Sequence, residues 1–178
     1  AGLMMGADDA VMSTVLEPAV LHRLCHFTTE RIQEYVQLLI SAGADVICIL
    51  EPSAVMLSPD QFSEFSAVYI RHITQSFKYS GISFVYHTCG NTMHLVDKMV
   101  RSGVQGVSLD SPDVGVDLAA VAKNLPDDVV AIGNVNPATT MRFGTREDVR
   151  GQVNALLREM ERHPNFVLST GRDLPQET

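Results

Sequence analysis

The chain has no tryptophan and only three cysteines, Cys25, Cys48 and Cys89, in 178 residues. An odd number of cysteines scattered through apolar segments makes no disulfide framework and matches the usage of a reduced, cytoplasmic protein. Basic residues are scarce as well: 13 Lys and Arg against 21 Asp and Glu leave a net charge of −8. A field of that sign repels phosphate backbones and anionic lipid headgroups, so neither nucleic acid nor a membrane surface is expected as a partner. Long hydrophobic runs are missing too. Val46 to Leu50 is among the longest and falls far short of a bilayer span, and no basic stretch followed by an apolar one opens the chain as a leader would. Internal repeats and low-complexity segments are absent.

What remains is a composition with 46% hydrophobic and 19% charged residues, enough to bury one core in a single domain over residues 1–178. Apolar periodicity switches along it between helix and strand. Val20, Leu21, Leu24, Phe27, Ile32, Tyr35, Val36, Leu39 and Ile40 recur at helical spacing between Pro18 and Ser41, and Gly43 supplies the stop. Further helices are expected over 58–78, opened by Ser58 as N-cap with Pro59 behind it, and over 93–101, 118–124 and 145–161. Strands are expected at 46–50, 82–87, 106–109, 129–132 and 166–168. They alternate with the helices and are continuously apolar, which predicts a parallel sheet covered on both faces: an α/β fold, either doubly wound or part of a (β/α)8 barrel. Five strands are too few to close such a barrel.

Residues with chemistry follow every strand. Glu51 and Ser53 come after the first, His87-Thr88-Cys89-Gly90-Asn91 after the second, Asp110 after the third, Asn134 after the fourth, and Arg172-Asp173 after the fifth. In a parallel α/β fold the C-terminal strand ends share one rim, where active sites are built. Singly, each polar residue reads as a turn former or cap; five such clusters in succession point to a site. Within it, His87 and Cys89 lie two apart at a strand end and so project to one side, bringing together nitrogen and sulfur, the donors zinc prefers. A core histidine beside a buried cysteine is the competing reading of the same pair.

The segments Ser41–Val46, Leu57–Phe62, His87–Thr92, Gly106–Asp110, Gly133–Pro137 and Leu168–Gly171 resemble, in order and spacing, the uroporphyrinogen decarboxylase superfamily. Within it, H-x-C-G-N is similar to the corrinoid-dependent methyltransferase branch, the methylcobamide:coenzyme M methyltransferase type. The resemblance implies a (β/α)8 barrel of which this chain is the C-terminal half to two-thirds, lacking the N-terminal strands and the last helix. It further implies zinc on His87 and Cys89, with a third ligand cysteine near the chain end. There the sequence reads Thr170-Gly171-Arg172-Asp173-Leu174-Pro175, with Arg172 where that cysteine is expected. A guanidinium has no lone pair and repels a dication. Glu51 is the candidate replacement ligand, and zinc is expected to be weak or absent.

The chemistry implied is transfer of a methyl group from a corrinoid, carried by a partner protein, to a small thiol. Asp110 and Asn134 are the candidate catalytic residues, and Arg172 and Ser53 the candidate substrate-binding residues. A decarboxylase-like or tetrapyrrole-binding protein, or a non-catalytic relative that has lost the metal, is the alternative. The pair His22 and His26, four apart on a helix, has the spacing of a metal chelate but no glutamate between its members, and reads first as a solvated face. The eight dispersed methionines read as gap-filling core.

Overall fold

The computed structural model describes residues 1–176. Five strands, β1 (Val46–Leu50), β2 (Ser83–His87), β3 (Gly106–Ser108), β4 (Val130–Val135) and β5 (Phe166–Thr170), pair in parallel in the order of the sequence. Helices intervene: α3 (Pro18–Ser41) before β1, α4 (Pro59–Phe62) and α5 (Val68–Ser76) between β1 and β2, then α6 (Val96–Arg101), α7 (Leu118–Ala122) and α8 (Arg146–Glu159) between successive strands. This is an α/β fold with the order and directions of a partial (β/α)8 barrel.

Local sequence explains most boundaries. Ser58 and Gln61 form a reciprocal capping box at α4, Thr145 and Asp148 another at α8, and the Asp117 carboxylate caps α7 through Ala120 N at 2.9 Å. Two short helices precede α3: α1 (Gly2–Met5) and α2 (Ala7–Leu16). They carry almost no buried residue, and α2 rests on Asp8 and Asp9 in its first turn rather than on an apolar stripe, so periodicity does not reveal them. The helix expected over 58–78 is broken by a π-helical segment, Ser63–Ala67. β4 and β5 run further than expected, carrying Asn134 opposite Ser169 within the sheet.

One face of the sheet packs against the helices. Ile47, Phe84, Tyr86, Val107 and Ala131 point into this layer and meet Phe62, Ile70, Leu95, Met99 and Leu156. A large side chain buried this fully contributes roughly 1.5–3 kcal/mol by leaving water. The opposite, concave face departs from the expectation of two covered faces. Val46 and Leu50 are 58% and 63% exposed, and Cys48 between them is exposed as well. A barrel strand is apolar on both sides because its inner side packs against other barrel strands, and the five described strands do not close on themselves. No helix among the described residues is long and apolar enough to cross a membrane.

Candidate active site at the strand rim

Neighbouring residues of β2 take opposite faces, and this divides the chemistry of the rim in two. Tyr86 enters the helix layer, edge-on to Phe62 with ring centroids 5.9 Å apart, and donates its hydroxyl to Glu51 Oε2 at 2.6 Å. Ser66, turned inward by the π-helical segment, donates to the same carboxylate oxygen. Burial first, and the Glu51 charge second, push the Tyr86 phenol far above its ordinary range. The carboxylate weighed as a third metal ligand is therefore engaged on the other side of the sheet from His87. Ser53 lies half-buried in the 3-10 turn Pro52–Met56, and its side chain makes no hydrogen bond to the rest of the set among the described residues.

His87 faces the concave side. Its Nδ1 lies 2.9 Å from Ser108 Oγ on β3, and its Nε2 lies 3.8 Å from Cys89 Sγ. The imidazole and the thiol thus converge, as their spacing at a strand end requires. The chain turns away at once through Gly90 at φ 75°, where a Cβ would stand 2.9 Å from Val55 Cγ2. Only glycine suits that position.

Asp110 ties the rim together. Its carboxylate is fully buried and accepts Gly90 N–H at 2.8 Å through Oδ2 and Ser111 N–H at 2.7 Å through Oδ1. Asn134 Nδ2 donates to the Asp110 carbonyl at 3.0 Å, and Arg172 Nη1 lies 3.7 Å from Asp110 Oδ2. Gly171 lies so close to the Asp110–Ser111 backbone that a Cβ there would collide with it. The two residues weighed as catalytic therefore hold the backbone of the H-x-C-G turn and the end of β3. Arg172, with its side chain 39% exposed, reaches the same point from β5.

Burial holds the His87 imidazole below the ordinary value of 6.5, although Asp173, Asp110 and Ser108 each act to raise it. Burial pushes the Cys89 thiol up, Asp110 and Asp173 add to this, and Arg172 partly offsets it. At neutral pH the pair consequently rests as imidazole and thiol rather than as an ion pair. Asp173, named from the sequence only as the neighbour of Arg172 and given no role, acts on Cys48 as well: burial first, and the Asp173 charge second, push that thiol up. Its place beside Arg172 at a strand end was the available signal. Alkylation of Cys89 by iodoacetamide is expected to be several-fold slower at pH 7 than that of a free thiol and to rise only above the ordinary thiol range. A rate equal to or above that of a free thiol at pH 7 would contradict the neutral pair.

The set does not fit zinc. Among the described residues no three His, Cys, Asp or Glu groups stand close enough to enclose an ion. His87 and Cys89 supply two donors, whereas a structural or catalytic zinc needs at least three from the protein. Arg172 brings a positive charge, held by Asp110, to the side where a third donor is wanted.

The family model for uroporphyrinogen decarboxylase (URO-D) matches residues 1–178. The chain belongs to the uroporphyrinogen decarboxylase family. Among its relatives, the uroporphyrinogen decarboxylase of Prochlorococcus marinus (strain MIT 9312) is 26% identical over 160 residues, covering 89% of this chain and 44% of that protein. The methylcobamide:CoM methyltransferase MtbA of Methanosarcina acetivorans is 28% identical over 132 residues, covering 73% of this chain and 38% of that protein. This member of the uroporphyrinogen decarboxylase family thus spans less than half the length of the curated relatives it matches. A solved methyltransferase from Methanosarcina mazei superposes with a TM-score of 0.81 at 23% identity, over 96% of this chain and 49% of the other, and shares the fold.

Proposed function

We propose that this family member transfers a methyl group from a corrinoid, presented by a partner protein, to the sulfur of a small thiol held at the rim. The observation that carries this reading is the convergence of His87 Nε2 and Cys89 Sγ at 3.8 Å at the end of β2. The relative named as a methylcobamide:CoM methyltransferase supports the same choice. No step runs through zinc, since the donors do not fit it.

The residues present suffice for proton and charge handling. His87 rests neutral and its Nδ1 is oriented by Ser108, so Nε2 is free to take the proton of an incoming thiol. The S–H bond breaks toward Nε2, the sulfur lone pair forms the bond to the methyl carbon, and the cobalt–carbon pair stays with the cobalt. The products are a thioether and the reduced corrinoid. Arg172 is half-exposed and its planar fork suits a carboxylate or sulfonate on the thiol. Cys89 lines the place where the substrate sulfur sits.

Loss of the cobalt–carbon absorbance on mixing methylcobalamin, a thiol and the protein measures the reaction. His87→Ala is expected to slow it by roughly 10²–10⁴-fold. Because the catalytic form is the unprotonated ring and burial lowers its affinity for a proton, the acid limb should lie below pH 6.5. An unchanged rate in His87→Ala, or no thiol-dependent loss of methyl, would overturn the proposal. Arg172 and the decarboxylase-named relatives favour one second reading, a protein that binds a carboxylate-bearing tetrapyrrole without methyl transfer. Tight tetrapyrrole binding that weakens in Arg172→Ala, together with no methyl loss, would select it.

A further inference from the structure

Arg172 and Asp173 put opposite charges on adjacent residues where the chain leaves β5. The segment is fixed against the rim. Gly171 N–H donates to the Val135 carbonyl at 2.8 Å, and the Gly171 backbone lies against that of Asp110 and Ser111. Both charges are thereby tied to the turn after β2, which the Asp110 carboxylate holds through Gly90 N–H at 2.8 Å.

Each charge has capacity left for a ligand. Arg172 Nη1 lies 3.7 Å from Asp110 Oδ2, and the guanidinium makes no other ion pair or hydrogen bond among the described residues, so its remaining N–H donors are open. Asp173 is exposed and takes part in no hydrogen bond or ion pair among the described residues. Its charge nevertheless reaches the concave side of the sheet. On His87 it is the largest influence after burial, ahead of Asp110, and on Cys48 it again follows burial. On Cys89, burial and Asp110 come first, and Arg172 and Asp173 then act with opposite sign. A guanidinium and a free carboxylate thus flank the place where His87 and Cys89 converge.

That combination discriminates among thiols. One carrying only a carboxylate or sulfonate satisfies Arg172 but sets a like charge beside Asp173, and one carrying only an amine satisfies Asp173 but is repelled by Arg172. A thiol with both groups on one carbon satisfies both charges at once. We infer, resting on the methyl-transfer reading of this rim, that the acceptor is a thiol-bearing α-amino acid, its carboxylate on Arg172, its ammonium on Asp173 and its sulfur between His87 and Cys89. Arg172 and Asp173 choose the substrate, and His87 takes its proton.

Two measurements on the whole chain separate this inference from the reading beneath it. The first is isothermal titration with L-methionine, the S-methyl product of such an acceptor, against 4-(methylthio)butyrate, which lacks the ammonium, and 3-(methylthio)propylamine, which lacks the carboxylate. Methionine should bind about tenfold tighter than either. Asp173→Asn should erase its advantage over the butyrate and Arg172→Gln its advantage over the amine. Asp173→Asn alters an exposed, unbonded side chain, so that loss with an unchanged far-ultraviolet spectrum reports contact with the ligand. The second measurement is methyl loss from methylcobalamin with L-homocysteine, L-cysteine, 4-mercaptobutyrate and 2-mercaptoethanesulfonate. The better amino acid should exceed the amine-free thiols about tenfold in kcat/KM, and Asp173→Asn should remove that preference through KM. Equal rates with the amine-free thiols, or a preference unchanged in Asp173→Asn, would overturn the inference and leave methyl transfer standing. No methyl loss with any thiol would overturn the methyl-transfer reading; the zwitterion site would then stand on a methionine preference that both variants abolish, and fall without one.

Discussion

Asp110→Ala is expected to destabilise the folded chain by about 3–5 kcal/mol, the largest single effect among the rim residues. The carboxylate is fully buried and is the acceptor for two backbone N–H groups, Gly90 at 2.8 Å and Ser111 at 2.7 Å. An alanine leaves both donors buried without a partner, at roughly 1–3 kcal/mol each. It also leaves the Arg172 guanidinium without its counter-charge, a smaller loss because that side chain is partly in water. Asp110→Asn keeps one acceptor oxygen and should lose about half as much. Urea unfolding followed by circular dichroism measures both. A change under about 1 kcal/mol for the alanine variant would show that the turn at Gly90 is held by something else.

Arg172→Cys should add one equivalent of zinc that survives dialysis against a mild chelator. The substitution removes a cation from the side of His87 and Cys89 and supplies a third soft donor. The guanidinium is paired with Asp110 and 39% exposed, so its removal alone should raise affinity at the rim by no more than about tenfold, and the added thiolate supplies the rest. The added equivalent must disappear when Cys89→Ser is combined with Arg172→Cys, which places it at the rim. Zinc retained by the unaltered chain and lost in Cys89→Ser would mean that another group completes the rim site.

Strand order and direction were legible because continuous apolar runs separated by helical periodicity leave few alternatives to a parallel sheet. The polar strand ends were legible for the same reason. His87 and Cys89 meet because His87 ends β2 and Cys89 follows two residues on, a spacing visible in the sequence, whereas Asp110, which holds the turn after them, comes from the end of β3. Glu51 was misplaced because its destination is set by Tyr86 and by the π-helical segment that turns Ser66 inward, and neither long-range partner leaves a mark on the sequence near Glu51. Asp110 and Asn134 appeared as candidates for chemistry since polar residues at strand ends serve substrates and backbone alike, and only burial distinguishes the two uses. His22 and His26 read as a solvated face because Phe65 and Tyr69, which half-bury His22, lie some forty residues away.

The sheet is laid down in chain order, and β5 is an outer strand of the described five. Each pairing therefore closes only the loop between neighbours, which lets strands add one by one as synthesis proceeds. β5 carries Thr170, Arg172 and Asp173 to the rim. The guanidinium and the Asp173 carboxylate therefore arrive on one strand, and His87 and Asp110 on two others. A shift of β5 against β4 would move both charges together without moving the thiol–imidazole pair, so the charge at the rim and the pair it acts on are set by separate pairings of the sheet.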